Sequence, residues 1–229
     1  TTTDRDILKG LDDVLAFNSS IAYIDGDAPE LLIRGYTMES IASNLSYEEL
    51  AFLLLNDRLG TDDETSGFRH QMSELREIPE NVLDFLVDAP DSANPMASLR
   101  TAVSMIGVMD PNSENFRSED HMRSALRLIA LMPTIVSTQL RISNRQKPIK
   151  PDQNLDHASN YYYMLTGKPP DVITRQTLNT LLVLYAEHET NASTFAARVV
   201  VGTQSDFYSA VVAGIGAIKG PLHGGAIEG

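Results

Sequence analysis

The sequence predicts a mainly α-helical fold with one small β-hairpin near its N-terminal end. Almost every segment after residue 36 carries apolar residues at helical spacing, as residues 178–185 illustrate. Two short apolar runs, residues 20–24 and 31–36, flank Asp25-Gly26 and indicate the hairpin. Strands do not alternate with helices along the chain, which argues against a Rossmann-type sheet.

Capping residues set the expected bounds of the helices. Ser46 and Glu49 form a capping-box pattern, and Asn94 precedes a proline at a first helical position. Asn191 and Ser205 are expected to cap the last two helices. A short element is expected at residues 4–17, and the helices that follow are predicted at residues 62–76, 79–87, 95–109, 118–145, 157–165, 171–187, 192–201 and 207–218.

The segment 118–145 is the longest helical candidate and carries two apolar stripes. One passes through Leu126 and Ile129, and the other through Leu128 and Leu131. Two apolar faces predict burial on both sides, against the core and against a second subunit. Pro133 is expected to kink this helix, because proline lacks the N–H group that continues the hydrogen-bond ladder.

The composition is that of a soluble globular protein and excludes several kinds of site. Apolar residues make up 42% of the 229 positions and charged residues 21%. The sequence has no cysteine, so disulfides and thiolate metal sites are excluded, and no histidine pair has zinc-ligand spacing. We therefore expect no metal. Gly214-Ile215-Gly216 lies inside a helical pattern, so it indicates close helix packing and not dinucleotide binding.

The chain is strongly acidic, with 31 Asp and Glu against 18 Lys and Arg and a net charge of −13. Such a charge disfavours binding to nucleic acid and to anionic membranes. A surface rich in acids and poor in lysine suits a salty cytoplasm, although an acidic protein without salt adaptation has the same composition. No apolar run reaches the length of a membrane span, and the start of the chain lacks a signal-peptide pattern, so a cytoplasmic protein is expected.

His223 lies in a loop whose shape is set by glycine and proline. The stretch Lys219-Gly220-Pro221-Leu222-His223-Gly224-Gly225-Ala226 follows a long apolar segment and precedes residues that can begin another helix. A helix N-terminus favours a neutral imidazole over imidazolium, and a neutral imidazole can donate a hydrogen bond to a developing oxyanion. The alternative is an ordinary loop histidine.

His188 is predicted to end the apolar helix 171–187, between Glu187 and Glu189 and just before the next capped helix. A polar group buried at such a junction needs hydrogen-bond partners, so a histidine satisfied by its neighbours is the alternative to one that binds a ligand. The other three histidines are expected to be solvated on polar faces (His70 and His121) or structural at a helix start (His157).

Two segments resemble signatures of the citrate synthase family. Residues 220–226, Gly-Pro-Leu-His-Gly-Gly-Ala, resemble its signature loop, and residues 187–194 resemble its His-Glu-x-Asn-Ala-Ser-Thr segment. Ile-Asp-Gly and Arg-Gly-Tyr in the hairpin and Asn-Pro-Met at 94–96 extend the similarity over nearly the whole chain. The resemblance is to the short type found in archaea and Gram-positive bacteria.

The resemblance implies an almost entirely α-helical large domain, a small mobile domain and an obligatory homodimer. The helices at 95–109 and 118–145 match family helices that pack across the dimer interface. We therefore expect residues 1–220 to form the large helical domain. Residues 221–229 would begin the catalytic loop and lead toward a small domain that is absent from this chain.

The activity implied is that of an acyltransferase of the tricarboxylic acid cycle. It condenses oxaloacetate with the co-substrate acetyl-CoA and hydrolyses citryl-CoA, without a further cofactor. His223 matches the catalytic histidine that hydrogen-bonds the thioester oxygen and stabilises the enol, and His188 matches an oxaloacetate-binding histidine. The family's aspartate base, a further histidine and its substrate-binding arginines are expected beyond Gly229.

Two departures from the family pattern leave the subfamily open. Tyr185 and Asn94 stand where many members have histidine. A 2-methylcitrate synthase that uses propionyl-CoA shares these motifs and is the nearest alternative enzyme. A non-catalytic helical dimerisation module that retains the motifs is the alternative of another class.

Overall fold

The computed structural model describes residues 17–25, 27–28 and 30–227 and places them in a small antiparallel sheet followed by helices. This confirms the predicted fold class. The short element predicted at 4–17 falls outside the described residues, apart from Phe17.

The predicted hairpin is present and carries a third strand. Strand β1 (Ala22–Asp25) pairs with β2 (Glu30–Ile33), and β2 pairs with β3 (Tyr36–Thr37), both antiparallel. Arg34 and Gly35 form the two-residue turn between β2 and β3 and have φ angles of 50° and 83°. Two positive φ values are typical of the tight hairpin turns that favour glycine, which explains Arg-Gly at this point.

Among the described residues, ten α-helices follow the sheet, and the predicted segments correspond to them closely. The main departure is the segment 171–187, whose helix ends at Leu184, so the predicted end at Glu187 is wrong. The helices are α1 (Met38–Asn44), α2 (Tyr47–Asn56), α3 (Asp62–Glu74), α4 (Glu80–Asp88), α5 (Pro95–Met109), α6 (Ser118–Ser143), α7 (His157–Thr166), α8 (Val172–Leu184), α9 (Ala192–Gly202) and α10 (Phe207–Ile218).

The helix starts follow ordinary capping chemistry. Ser46 and Glu49 form the predicted capping box, and the side chains of Asn94 and Asn191 accept hydrogen bonds from the first turns of α5 and α9. The predicted cap at Ser205 is wrong. Asp206 caps α10 instead, because its carboxylate accepts from the N–H of Ser209.

Helix α6 is the central element of the described fold. It contacts α3, α4, α5, α7 and α10, and it runs through Pro133 as one continuous helix. Leu128, Leu131 and Ile135 of α6 pack with Val103 of α5 in the main apolar cluster. Length and composition alone would let α6 span a membrane, but half of that stretch is buried inside the fold, as in the core helix of a folded domain.

Helix α10 docks on α5 through a glycine. A Cβ atom added at Gly107 would lie 2.7 Å from Cβ of Tyr208, so only glycine lets the two helices approach this closely. The buried Tyr208 hydroxyl donates to Oδ2 of Asp110 at 2.6 Å. Burial raises the pKa of Asp110, but this hydrogen bond and the nearby Arg123 and Arg127 outweigh it, so the pKa is lowered overall.

His157 is structural, as predicted. It is 3% exposed, its ring stacks on Tyr47 at a centroid distance of 4.6 Å, and its backbone N–H donates to Oε1 of the buried Glu48. Burial, assisted by the charge of Arg76, lowers the pKa of His157 to about 3. The ring is therefore neutral over the physiological range.

One of the two solvated histidines was predicted wrongly. His70 is exposed and lies 3.5 Å from Glu74, as expected. His121 instead lies near Phe116 and Phe207, with ring-centroid distances of 6.4 and 6.2 Å, and its Nε2 atom is buried. The start of α10, where Phe207 lies, covers a position that is polar in sequence alone.

Candidate active site

The first turn of α9 is the fixed point of the candidate site. Oδ1 of Asn191 accepts a hydrogen bond from the N–H of Thr194 at 3.0 Å and caps the helix. The same oxygen accepts from the hydroxyl of Ser193 at 2.7 Å. Capping therefore fixes the helix start and the orientation of Ser193 together.

The His223 loop closes onto this turn. The N–H groups of His223 and Gly225 both donate to the carbonyl of Gly220, at 2.9 and 3.1 Å, and form a compact turn after α10. Nε2 of His223 then lies 3.0 Å from Oγ of Ser193. The loop therefore lies near two helix starts. A 3₁₀ turn follows His223 directly at Gly224–Ile227, and the His223 ring contacts the first turn of α9.

The Gly-Gly pair after His223 is required by close packing. A Cβ atom at Gly224 would lie 2.5 Å from Cγ1 of Ile218, and one at Gly225 would lie 2.6 Å from the carbonyl oxygen of Lys219. The 3₁₀ turn therefore folds back directly on the last turn of α10. Side chains at these positions would push the loop away from α9.

The hydroxyl hydrogen of Ser193 selects the tautomer of His223. The amide oxygen of Asn191 can only accept, so Ser193 donates its single hydrogen there and accepts from Nε2–H of His223. If the hydroxyl turns to donate to Nε2 instead, the proton of a neutral ring lies on Nδ1. The same position of the His223 ring is thus compatible with two tautomers, one with the proton on Nε2 and one with the proton on Nδ1.

His188 is exposed, which differs from the buried junction predicted for it. Helix α8 ends three residues before Glu187, so residues 185–190 leave the helix and form a surface turn. Nε2 of His188 lies 2.8 Å from the carbonyl oxygen of Leu184. A carbonyl oxygen only accepts, so Nε2 carries a hydrogen and Nδ1 is the remaining nitrogen.

Two carboxylates on either side of His188 hold this turn. The N–H of Glu189 donates to Oε1 of Glu187 at 2.6 Å, and Glu189 itself has a left-handed φ of 60°. Oε1 of Glu189 accepts from the N–H of Ile24 at 3.1 Å, which joins the turn to strand β1. Burial raises the pKa of Glu187 above its ordinary value.

The structure thus brings both candidate histidines into contact with one segment, residues 184–194. His188 lies within residues 184–194, and His223 reaches the same segment from the far end of α10 through Ser193. Sequence reasoning did not identify Ser193 as the partner of His223, or Glu189 as the contact to the sheet. Both residues belong to the Glu-His-Glu-x-Asn-Ala-Ser-Thr motif, so membership of this motif was the feature of the sequence that could have identified them.

Within the described residues, no group of three His, Asp or Glu side chains is arranged to hold a metal ion.

Comparison with known proteins supports one family. The family model described as "Citrate synthase, C-terminal domain" matches residues 10–229. Citrate synthase 2 of Bacillus subtilis is 39% identical over 96% of this chain, and 2-methylcitrate synthase of Mycobacterium tuberculosis is 40% identical over 97%. The chain spans 59% and 56% of the length of these two relatives.

Solved structures give the same result. The citrate synthase of Pyrobaculum aerophilum superposes with a TM-score of 0.90 at 38% identity, over 95% of this chain and 56% of that one. A ternary complex of the Thermoplasma acidophilum citrate synthase with carboxymethyl coenzyme A and oxaloacetate gives a TM-score of 0.89 at 29% identity, over 94% of this chain and 57% of that one. This chain belongs to the citrate synthase family.

Proposed function

We propose that this chain is the larger part of a citrate synthase that condenses oxaloacetate with acetyl-CoA and hydrolyses citryl-CoA to citrate and CoA. The observation that carries the proposal is the contact of His223 with Ser193, which brings the His223 loop onto the segment that carries His188. Relatives that are named citrate synthase also support the proposal. The chain spans under two thirds of their length, so the proposal concerns the full-length polypeptide.

In the proposed reaction a base removes a proton from the acetyl methyl group, and the resulting enol carbon attacks the ketone carbon of oxaloacetate. The ketone oxygen takes up a proton, and water then cleaves the thioester to release citrate and the thiol of CoA. The critical charge develops on the thioester oxygen when the methyl proton leaves. A fixed neutral hydrogen-bond donor at that oxygen stabilises the enol.

His223 is the proposed donor, and Ser193 controls it. With the Ser193 hydroxyl turned toward Nε2, the neutral ring carries its proton on Nδ1 and donates it as a hydrogen bond to the enol oxygen. His188 is proposed to bind oxaloacetate through the nitrogen that does not contact Leu184. The solved structure of the Thermoplasma acidophilum relative is a ternary complex with oxaloacetate and carboxymethyl coenzyme A, which supports these two ligands.

The acyl group is the main alternative within the family. The Mycobacterium tuberculosis relative is a 2-methylcitrate synthase, and a Bacillus subtilis relative at 37% identity carries both names. A thiol-release assay with acetyl-CoA and propionyl-CoA distinguishes them. We expect the higher kcat/KM with acetyl-CoA, and a higher value with propionyl-CoA would assign the chain to the 2-methylcitrate synthases.

Substitution of His223 tests the catalytic role directly. In the full-length polypeptide, His223→Ala should lower kcat by about 100-fold or more, because the enol loses its hydrogen-bond donor. The affinity for oxaloacetate, measured by calorimetry, should stay close to that of the wild type. A kcat that barely changes would exclude the enol-stabilising role.

Substitution of His188 tests the binding role. His188→Ala should mainly weaken oxaloacetate binding, which calorimetry without acetyl-CoA measures. The ring is exposed, so the fold should tolerate its loss, and the melting temperature serves as the control. Unchanged oxaloacetate affinity would contradict the proposed role.

A homodimer in the cytoplasm completes the proposal. Apolar side chains remain exposed on α5 and α6, including Val108 at 86% exposure, with Met109, Met122 and Leu140. Exposed apolar side chains on neighbouring helices are typical of subunit interfaces. Light scattering of the full-length polypeptide should give twice the subunit mass, and a monomer would contradict the dimer.

A further inference from the structure

The turn that carries His188 is held in an uncommon backbone conformation. Glu189, directly after His188, has a left-handed φ of 60°, which residues other than glycine adopt only where surrounding contacts hold them there. Within the turn, the N–H of Glu189 donates to Oε1 of Glu187 at 2.6 Å, and Nε2 of His188 lies 2.8 Å from the carbonyl oxygen of Leu184. Both contacts join residues of the same segment, so neither fixes the turn relative to the rest of the fold.

The side chain of Glu189 makes a contact outside the turn. Its Oε1 atom accepts the N–H of Ile24 at 3.1 Å, from a residue 165 positions away in sequence. Ile24 belongs to β1, which is an edge strand in the order β1-β2-β3. An edge strand has N–H groups that no neighbouring strand accepts, and here a carboxylate accepts one of them. The turn is therefore fastened to the sheet at the residue next to His188.

The sheet is a firm support for this turn because it is packed against the helices. Ile33 of β2 is fully buried and lies in one apolar cluster with Leu53 of α2 and Val183 of α8. The guanidinium of Arg34, in the β2–β3 turn, donates to the carbonyl of Leu54 near the end of α2 at 3.1 Å. Strand β2 and the last turn of α8 thus share one core, and the hydrogen bond of Glu189 adds a second connection between the sheet and the residues that follow α8.

The charge of Glu189 by itself would oppose the binding of oxaloacetate. Oxaloacetate is a dianion, and like charges repel. If the exposed carboxylate were only a surface charge beside His188, its removal should strengthen binding. If the carboxylate positions the His188 turn, its removal should weaken binding. The direction of the change therefore distinguishes the two roles.

We propose that Glu189 is a positioning residue for oxaloacetate binding. Its carboxylate fastens the His188 turn to strand β1 and so fixes the imidazole at the place where it meets the substrate. The turn then loses less conformational freedom when oxaloacetate binds, and such preorganisation raises affinity. This inference rests on the proposed function, because it takes oxaloacetate as the ligand of His188.

Three substitutions separate the hydrogen bond of Glu189 from its charge and from the shape of the backbone. Glu189→Gln keeps an oxygen that can accept from Ile24 but removes the charge, and Glu189→Ala removes both. Glu189→Gly also removes both, but glycine adopts a positive φ without steric cost. Asp171→Ala is the matched control, because Asp171 is another exposed carboxylate that accepts a backbone N–H, that of Thr174 at 2.7 Å, at the opposite end of α8.

The thiol-release assay on the full-length polypeptide, with oxaloacetate varied at saturating acyl-CoA, gives KM and kcat. Glu189→Ala and Glu189→Gly should raise the KM for oxaloacetate about tenfold, as expected for the loss of one hydrogen bond to a charged group, and should change kcat less than about threefold. Glu189→Gln should return this KM to within about threefold of the wild type, because the acceptor is restored. Asp171→Ala should lower the melting temperature, because α8 loses its cap, and should leave KM unchanged.

Four results would contradict the inference. An unchanged or lower KM in Glu189→Ala would make Glu189 a surface charge only. A wild-type KM in Glu189→Gly would assign the effect to backbone strain, and a Glu189→Gln variant as weak as Glu189→Ala would assign it to the charge. A wild type that releases no thiol with oxaloacetate and either acyl-CoA would overturn the proposed function and this inference with it, and that result is obtained before any variant is measured.

Discussion

Gly225→Ala should separate the shape of the His223 loop from its chemistry. The added Cβ would lie 2.6 Å from the carbonyl oxygen of Lys219 and 2.9 Å from that of Gly220. Both contacts are with backbone atoms, so no side chain can rotate away. To reach an ordinary contact of 3.4 Å from 2.6 Å, the turn must move by about 0.8 Å.

This movement acts directly on His223. The carbonyl of Gly220 also accepts the N–H groups of His223 and Gly225, so a shift there disturbs the turn that holds the ring 3.0 Å from Ser193. A displacement of about 1 Å at a catalytic group can cost roughly 100-fold in rate. We expect kcat to fall between about 10- and 100-fold in the thiol-release assay, although every side chain proposed for the chemistry is still present.

Gly216→Ala is the matched control for this experiment. Gly216 lies in α10, and no atom lies within 4 Å of an added Cβ. Alanine favours a helix interior over glycine by about 1 kcal/mol, so this variant should melt slightly higher and keep its kcat. If Gly225→Ala retains kcat within about threefold of the wild type, the tight turn does not control the position of His223.

Two further predictions concern the contact between α5 and α10. Tyr208→Phe removes the hydroxyl that donates to the buried carboxylate of Asp110, and urea unfolding should show a loss of about 1.5 to 3 kcal/mol. The second prediction concerns the loss of stability at low pH. The folded-state pKa of Asp110 is lowered, so its stabilising contribution is complete above about pH 4 and is lost as the pH falls through the lowered pKa. The free energy of unfolding of Asp110→Asn should therefore fall less steeply below pH 4 than that of the wild type. An equally steep fall in both proteins would contradict the role of Asp110.

Local patterns predicted most helices because the forces that start and stop a helix act over only a few residues. The capping box at Ser46 and the cap at Asn94 were recognisable in sequence, and both are present. The two errors also arose locally. At the start of α10, two adjacent residues, Ser205 and Asp206, can both cap, and the end of α8 has no glycine or proline to mark it.

The sequence alone was sufficient for the family, because the motifs around His188 and His223 are short, continuous and chemically specific. It also predicted that glycine and proline set the shape of the His223 loop. It did not predict which residues distant in sequence contact each other. The contact between His223 and Ser193 joins residues 30 positions apart, and that between Glu189 and Ile24 joins residues 165 apart. The burial of Nε2 of His121 depends likewise on the docking of α10, which brings Phe207 near its ring. Such contacts depend on how helices pack over the whole domain, and packing is a property of the assembled core that no local spacing contains.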